Sequence, residues 1–157
     1  MVSLGDLRKI YLIQSLSDTQ LEKILPYVEE KNFKPKEVIF EQNENVSDFY
    51  MLLKGNVLLK IDISPTVTIS LGAVKPGYSF GWSSLLGGSY TSQAFCAEPC
   101  QVMAIHGEKF RDILDSDHDM GYEVFFGIVR ILESRLERRT EQLLKTMRKQ
   151  MEIWDLW

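Results

Sequence analysis

The sequence predicts a mainly β protein: an antiparallel, jelly-roll-like β domain with an N-terminal helix before it and one long C-terminal helix after it. Short β-prone runs separated by turn signals fill the segment from Val38 to Ile105. Apolar residues recur at helical spacing before that segment, and again over a longer stretch behind it. Several short strands at this spacing are typical of an antiparallel sandwich or jelly roll, not of alternating strands and helices.

The first thirty residues are predicted to be helical. Ser17 and Gln20 have the spacing of a capping box, in which each side chain bonds the backbone N–H of the other residue. The residues that follow form one apolar stripe at helical spacing: Leu21, Ile24, Leu25 and Val28. A helix with one apolar face must pack on another element, so we expect it to lie on the β domain.

Six runs of β-prone residues make up the central segment. They are EVIFE, DFYMLLKG, NVLLKIDI, TVTISLGAV, TSQAFCA and QVMAI. Turn-forming residues separate them, as at residues 54–56, 64–65 and 75–77, where Gly, Asn or Pro interrupts the apolar pattern. The pattern therefore predicts six or more short strands.

The C-terminal part is predicted to be helical again. GEKFRDIL forms a short helix, the acidic DSDHD follows, and then a helix of about 30 residues begins, which is roughly 45 Å long. Its apolar positions repeat at helical spacing: Phe125, Val129, Leu132, Leu136, Leu143, Met147, Met151 and Trp154. We therefore divide the chain into residues 1–117, the N-terminal helices and the β domain, and residues 118–157, the long helix and tail.

A helix of this length exceeds what a small β domain covers, so its remaining apolar surface needs a partner. We expect a parallel homodimer, with Arg139 interrupting the seam. The contact residues are then Val129, Leu132, Leu136, Leu143 and Met147. The alternative, a helix folded back on its own β domain, accounts for about the first four turns but not for all of roughly eight.

Composition excludes several classes of function. With 157 residues, 45% hydrophobic and 25% charged, the chain suits one globular domain with an appendage. A net charge of −4 argues against a globally basic nucleic-acid binder. No apolar run is long enough for a membrane span and no signal pattern opens the chain, so we expect a cytoplasmic protein without membrane contact. Cys96 and Cys100 would be about 13 Å apart on one extended strand, so we expect both to be reduced.

Candidate catalytic residues are few. Residues 81–85, GWSSL, begin like the nucleophile elbow G-x-S-x-G, but the second glycine is missing and no crossover helices surround the segment. A serine nucleophile also needs a histidine, and the chain has only His106, at a strand end, and His118, at a helix start. We therefore expect no catalytic residues, and an enzyme is the weakest of the alternatives.

Metal binding is not expected either. Asp115, Asp117 and Asp119 have the alternating spacing that opens a calcium loop. That loop needs Gly and Glu further on, where this chain has Met120 and Phe126. The dipole of a helix start is sufficient to explain acidic residues there, and two histidines are too few for a metal-dependent jelly-roll enzyme. The sequence thus predicts neither a metal nor another cofactor.

The long helix carries a basic run and an apolar tail. Three glutamates and seven basic residues lie between residues 130 and 149, the basic ones being Arg130, Arg135, Arg138, Arg139, Lys145, Arg148 and Lys149. We interpret them as the solvated flank of a coiled coil and expect no direct DNA binding, because no base-reading element or helix-turn-helix accompanies them. Trp154 and Trp157 would close the dimer, contact a partner protein or simply pack, and the pattern does not distinguish these.

Five segments occur in an order known from one family. They are a helical N-terminal piece, VIFEQNENVSDFYMLLKGNV, PGYSFGWSSLL, AFCAEPCQVMAI, and FRDIL followed by a long helix. This order, from about Leu12 to Gln150, resembles the cyclic nucleotide-binding domain of catabolite-activator-type regulators and cyclic-nucleotide-dependent kinases. The resemblance implies a β-roll with a phosphate-binding cassette, a turn and short helix whose Glu binds the ribose hydroxyl and whose Arg binds the cyclic phosphate.

The structural positions of that cassette are kept. Phe80, Gly81 and Leu85 match the family pattern, and Ser84 stands at a small-residue position. In the preceding turn, Asn43 replaces a glycine that the family commonly has. Asn is the next most tolerant residue of a left-handed backbone, so we expect the fold to survive this change.

The two ligand positions of the cassette are not kept. Trp82 stands where the resemblance implies Glu, and Thr91, followed by Ser92, stands where it implies Arg. Loss of both contacts, each worth about 1.5 to 3 kcal/mol, would weaken binding by roughly 10² to 10⁴-fold. Residues 76–108 contain no Lys or Arg, so only a base from another segment, such as Arg135, would compensate.

What remains is a cup of backbone N–H groups, one indole and four hydroxyls. The hydroxyls are those of Ser83, Ser84, Thr91 and Ser92. Backbone N–H groups at a helix start hold an anion only weakly. An indole that fills the ribose space would close the cup.

We therefore interpret the chain as a non-enzymatic regulatory sensor of this family that responds to an atypical small-molecule effector. A genuine cyclic AMP or cyclic GMP receptor and a ligandless structural or interaction domain are the alternatives. The resemblance implies that the effector shifts a hinge near residues 122–126 and rotates the paired long helices. No output domain follows the helix, so we expect output through a partner protein, unless the chain is a fragment.

Overall fold

Two antiparallel sheets of four strands each form the centre of the protein. The computed structural model describes residues 1–156. The strands are β1 (Val28–Phe33), β2 (Val38–Phe40), β3 (Asp48–Lys54), β4 (Val57–Ser64), β5 (Val67–Val74), β6 (Ser79–Phe80), β7 (Gln93–Cys96) and β8 (Cys100–His106). The helices are α1 (Leu4–Leu7), α2 (Asp18–Ile24), α3 (Gly107–Ser116) and α4 (His118–Trp154), with 3₁₀ helices at Leu25–Tyr27 and Trp82–Leu85.

The sheets have the orders β1-β8-β3-β6 and β2-β7-β4-β5. In the first, Met51 of β3 lies opposite Met103 of β8, and in the second, Val57 of β4 lies opposite Cys96 of β7. Most consecutive strands belong to different sheets, so the chain winds around the core as in a jelly roll. The predicted β-roll with flanking helices and a long C-terminal helix is confirmed.

Side-chain alternation along β3 separates two apolar cores. Phe49 and Met51 point into a core that includes residues of all four helices. Tyr50 and Leu52 point the other way, into a core between the two sheets. Because successive side chains of a strand face opposite sides, one strand contributes to both cores. The first sheet is therefore buried on both faces, and its outer face holds the helices against the roll.

The first thirty residues contain less helix than predicted. The capping box at the start of α2 is confirmed, since the Gln20 amide donates to Ser17 Oγ at 3.2 Å and the Ser17 amide donates to Gln20 Oε1 at 2.9 Å. However, α2 has only 7 residues, and a 3₁₀ helix that contains Pro26 follows it. Val28, predicted to lie on the helical stripe, instead begins β1 opposite Ile105, so this part of the prediction is wrong.

All six predicted β-prone runs are strands, and the structure adds β1 and the short β6. β1 has the sequence VEEKNF. Its two consecutive exposed residues, Glu29 and Glu30, interrupt the alternation of apolar and polar residues that marks the other strands. Among the strands of residues 1–156, it pairs only with β8 and forms an edge of its sheet. Edge strands tolerate charged residues because one side of their backbone faces solvent, which explains why its sequence gave no strand signal.

The long helix α4 contains 37 residues, so its length is about 55 Å. Asp117 caps it, accepting a hydrogen bond from the Met120 amide at 3.1 Å. Val124 and Ile128 are buried in the helical core, whereas every residue of segment 143–156 is exposed. Only the first part of α4 therefore packs on the roll. None of the helices within residues 1–156 combines the length and apolarity that a membrane crossing requires.

The two cysteines do not share a strand, which corrects the geometry assumed from the sequence. Cys96 ends β7 and Cys100 begins β8, with residues 97–99 turning between them. Both are buried free thiols. Burial, and next the neighbouring Cys100 thiol, together raise the pKa of Cys96 to about 12.

Candidate ligand-binding site

The cassette segment begins with two residues that packing holds in place. Phe80 is 1% exposed, in the core between the sheets. Gly81 follows with φ of +74°, and a Cβ there would lie 3.1 Å from both the Asp48 carbonyl oxygen and the Tyr50 ring. Glycine is the residue that adopts this left-handed conformation without strain. The chain can therefore turn sharply from β6 into the 3₁₀ helix Trp82–Leu85.

This 3₁₀ helix is fixed against α3 and α4. A Cβ on Gly107, the first residue of α3, would lie 2.2 Å from the Ser84 carbonyl oxygen, so the two segments are in close contact. Arg111 Nη1 donates to the Leu85 carbonyl oxygen at 3.2 Å. The same guanidinium lies 5.6 Å from the ring centroid of Phe125 on α4. One arginine thus connects the cassette with both helices.

The four hydroxyls expected to line the cup differ in their surroundings. Ser84 and Ser92 are buried, at 4% and 9% exposure, whereas Ser83 is half-buried and Thr91 is exposed. Within residues 1–156, Ser84 Oγ finds no hydrogen-bond partner. Leu85 belongs to the core with the helices. Phe80 and Leu85 therefore pack in the two cores, and the role of the cassette residues in ligand binding stays a prediction.

Trp82 connects the cassette to α4. Its indole is half-buried, and its Nε1 donates to Ser79 Oγ at 2.9 Å. The guanidinium carbon of Arg135 on α4 lies 4.6 Å from the centre of the indole ring, within cation–π range. The ring is thereby held at one edge by a hydrogen bond and on one face by a cation. The residue at the position of the implied Glu is a platform for an arginine.

A basic cleft lies between α4 and the β4–β5 hairpin, and we call it the arginine cleft. Leu59 of β4 and residues 71–74 of β5 form one wall, and four side chains of α4 form the other. These are Arg135, Arg138, Arg139 and Gln142. Burial lowers the pKa of Arg135, and the positive charges of Arg139 and Arg138 lower it further. The guanidinium groups are therefore close enough to repel one another.

The sequence pattern indicated only part of this cleft. Arg135 is the sequence-based example of a base from another segment that would compensate for the missing cassette arginine, and it does contact Trp82. Arg138 and Arg139 were interpreted as a solvated flank, and Gln142 was not singled out, but all three line the cleft. Their spacing of three, four and seven residues from Arg135 places them on one helix face, which is the signal that would have identified them.

A larger depression lies between α3 and α4, with a volume of about 410 Å³. Its wall is mainly apolar, formed by Leu114, Tyr122, Phe125, Phe126 and Val129, with Asp115 and His118 at its margin. It lacks converging polar groups of the kind that orient a polar ligand. It merges at Val129 with the exposed apolar stripe of α4, so it belongs to a packing surface.

The histidines and clustered aspartates have local structural positions. His106 and His118 are both exposed, at the end of β8 and the start of α4. Asp117 forms an ion pair of 2.7 Å with Lys23 of α2, and Asp115 forms one of 3.0 Å with Arg111. Within residues 1–156, no three His, Cys, Asp or Glu side chains are grouped so as to hold a metal ion.

The hinge expected at residues 122–126 lies inside a continuous helix. α4 runs from His118 to Trp154 without a break. The backbone leaves helical geometry at Asp117, where φ is −130° and ψ is 92°, between α3 and α4. The two helices therefore join at Asp117, and a hinge at residues 122–126 stays a prediction.

Comparison with known structures identifies one family and one architecture. Residues 30–117 match the model of the cyclic nucleotide-binding domain. A structure from Geobacter metallireducens GS-15, assigned to the cyclic nucleotide-binding proteins, is 32% identical with a TM-score of 0.75, covering 87% of this chain and 99% of that one. The catabolite activator protein of Thermus thermophilus is 22% identical with a TM-score of 0.70, covering 84% of this chain and 61% of that one, and shares the fold.

Plant potassium channels are the curated relatives. Potassium channel SKOR of Arabidopsis thaliana is 29% identical over 141 residues, which is 87% of this chain and 16% of the channel. Potassium channel AKT1 of the same plant is 28% identical over 112 residues, which is 69% of this chain and 13% of the channel. The chain thus spans only a small part of the length of these relatives, and the similarity concerns one domain.

Proposed function

Because the chain belongs to the cyclic nucleotide-binding domain family, we propose that it is a non-enzymatic regulatory module that senses an effector other than cyclic AMP. The observation that carries this proposal is the contact between Trp82 and Arg135. At the position where the family resemblance implies a carboxylate for the ribose, the chain has an indole that is engaged by a cation from α4. A ribose hydroxyl finds no charged acceptor at this position.

The position of the implied cassette arginine supports the same conclusion. Thr91 is exposed and uncharged, and residues 76–108 supply no other base. A charge-assisted bidentate contact to phosphate and a carboxylate–hydroxyl bond are each worth about 1.5 to 3 kcal/mol. Loss of both is expected to weaken cyclic nucleotide binding by roughly 10² to 10⁴-fold.

The module is proposed to act as a homodimer through α4. Apolar side chains lie exposed along one face of this helix, among them Val129 at 58% and Leu136 at 68%. A stripe of this length is typical of a coiled-coil seam and is costly to leave in water. The other members expected at the seam are exposed as well: Leu132, Leu143 and Met147.

Signal transmission follows from the contacts of the cassette and of α4. A ligand between the roll and α4 favours one position of the helix, and Arg111 couples that position to the cassette through Leu85 and Phe125. In a dimer, this biases a two-state arrangement of the two long helices. The exposed Trp154 offers an apolar contact for a partner protein. Trp157, the other tryptophan of the tail, lies outside the described residues.

Isothermal titration with cyclic AMP and cyclic GMP tests the proposal. The wild-type protein is expected to show no binding at about 10 µM nucleotide, and affinity tighter than this for either nucleotide contradicts the proposal. The double substitution Trp82→Glu and Thr91→Arg restores both implied ligand groups, so it should improve cyclic AMP affinity by roughly 10² to 10⁴-fold.

A matched control separates local chemistry from a general gain of positive charge. Ser89→Arg adds the same charge on an exposed position of the neighbouring loop and, combined with Trp82→Glu, should bind cyclic AMP no more tightly than the single variant Trp82→Glu does. A thermal-shift screen of metabolites addresses the ligandless alternative, since a ligand at about 100 times its Kd raises the free energy of unfolding by about 2.7 kcal/mol. No shift with any metabolite favours a purely structural role.

A further inference from the structure

The arginine cleft concentrates positive charge without a countercharge. Arg135, Arg138 and Arg139 contribute three cations to its wall, and no carboxylate lines it. Glu133, Glu137 and Glu141 lie on the same helix, but the ion pairs formed within residues 1–156 include none of these arginines. Positive side chains three and four residues apart repel each other on a helix surface. An anion in the cleft would relieve this repulsion.

The arginines occupy the face of α4 that is turned towards the roll. Ile128 and Ile131, one to two turns earlier on this face, pack against the helical core. Arg135 follows Ile131 by four residues and Ile128 by seven, so it continues the same face. The face changes from apolar to cationic where α4 passes the β4–β5 hairpin. A solvated coiled-coil flank would instead place these charges away from the roll.

Arg135 is also held in position before any ligand arrives. It is half-buried, and its guanidinium stacks on Trp82, whose Nε1 donates to Ser79 Oγ. Long arginine side chains lose conformational freedom when they bind, and prior fixation reduces this cost. Planar guanidinium groups match the geometry of phosphate oxygens. The cleft thus presents one fixed guanidinium beside two exposed ones, Arg138 and Arg139.

The size of the cleft restricts the ligand. The volume of the cleft is about 50 Å³. One water needs about 10 to 15 Å³ by the same measure, so the space holds roughly three to five waters. A single tetrahedral oxyanion is of that size, so the cleft is suited to a phosphate group, with any group attached to that phosphate lying outside it.

We propose that the arginine cleft binds a compact phosphate-type dianion through Arg135, Arg138 and Arg139. This inference rests on the proposed function, because it names the effector chemistry of the same module. The positive charge that the family pattern implies at position 91 is supplied here by α4. Binding draws α4 towards β5, so occupancy of the cleft and orientation of the long helix are coupled.

Calorimetric titration of inorganic phosphate into the full chain tests the site. At about pH 8, where phosphate is a dianion, and at constant ionic strength, wild type should bind with a Kd below about 1 mM. Arg138→Gln combined with Arg139→Gln should weaken binding at least about tenfold, since two charge-assisted contacts are lost. Both residues are exposed, so the fold should tolerate the change, and circular dichroism verifies it.

Arg148→Gln is the matched control. It removes the same charge from an exposed position of α4 beyond the cleft and should leave the phosphate affinity unchanged. An equal loss in this variant, unchanged affinity in the double variant, or no binding at about 10 mM phosphate overturns the inference. A higher salt concentration should weaken phosphate binding in wild type more than in the double variant. The wild-type cleft has three positive charges whose attraction for phosphate is screened, whereas the double variant has one.

Two further titrations answer different questions. The first identifies the source of the dianion, and the second distinguishes a failure of the proposed function from a failure of the inference about the cleft. The first titration uses adenosine 5′-monophosphate. If it binds more tightly than inorganic phosphate, and its binding depends on Arg138 and Arg139 in the same way, the effector is a phosphomonoester. Equal affinity assigns free phosphate. The second titration uses cyclic AMP, and a micromolar Kd contradicts the proposed function. If neither cyclic AMP nor phosphate binds, only the inference about the cleft is contradicted.

Discussion

Gly107 fixes the distance between the cassette and α3. The Ser84 carbonyl oxygen stands 2.2 Å from the position that a Cβ on Gly107 would take, so no larger residue fits without movement of one segment. Asn43 illustrates the opposite case. Its φ of 68° is left-handed, and the substitution of the family glycine by Asn preserves that turn, as expected from the tolerance of Asn.

Gly107→Ala is expected to destabilise the protein by about 1 to 3 kcal/mol, because the added methyl group meets backbone atoms that cannot rotate away. Gly72→Ala is the control, since a Cβ at Gly72 has no atom within 4 Å and its φ is not in the left-handed region. Its effect should stay within about 0.5 kcal/mol. Urea unfolding followed by circular dichroism measures both, and equal effects would rule out the close contact.

Among the elements, the strands and α4 were predictable because their residues carry a clear period. β3 and β8 alternate between two cores, and α4 keeps one apolar face over its length. β1 was not predictable, because an edge strand with two exposed glutamates carries little pattern. The arginine cleft was only partly predictable, since the face of α4 that meets β5 is decided by packing between distant segments.

One ion pair links α2 to the junction of α3 and α4. Lys23 Nζ lies 2.7 Å from Asp117 Oδ2, and Asp117 also caps α4. The Lys23 hydrogen bond, and next the Met120 amide, lower the pKa of Asp117 from its usual 3.8. A lowered pKa in the folded state adds stability above the unfolded pKa, and that stability is lost as the pH falls through the folded value.

Asp117→Asn should therefore flatten the acid limb of the stability curve. Asn still caps a helix, so the substitution removes the charge and keeps the cap. Wild type should be more stable than the variant at neutral pH, and the difference should shrink as the pH falls below 3.8. Thermal unfolding at a series of pH values gives the comparison. Asp112→Asn, an exposed change on α3, controls for the loss of one charge, and an identical profile would show that the ion pair is unimportant.

At the scale of the whole molecule, the two faces of α4 make different contacts. One face contacts the roll and carries the arginine cleft, and the other exposes the apolar stripe that is proposed to form the dimer. Effector binding and dimerisation therefore use largely different side chains of one rigid element, and Arg139, predicted to interrupt the seam, lines the cleft at the border between the two. A ligand at the first face can change the geometry of the second without touching it.

Leu136→Lys is expected to convert a wild-type dimer into a monomer at micromolar concentration, because it places a charge in the centre of the exposed stripe. Ser134→Lys adds the same charge on an exposed position away from the stripe and should leave the dimer intact. Sedimentation velocity distinguishes the two masses. A monomeric wild type, or a dimer that tolerates Leu136→Lys, refutes the proposed seam.

The exposed end of α4 also makes the helix a lever. Beyond Gln142, the last residue of the arginine cleft, the helix continues to Trp154, a distance of roughly 18 Å. A tilt of about 5° at the roll therefore displaces the far end by roughly 1.6 Å, with no bending of the helix. Small movements of α4 near the cassette are thus best measured with probes attached near Trp154, where the displacement of the helix is largest.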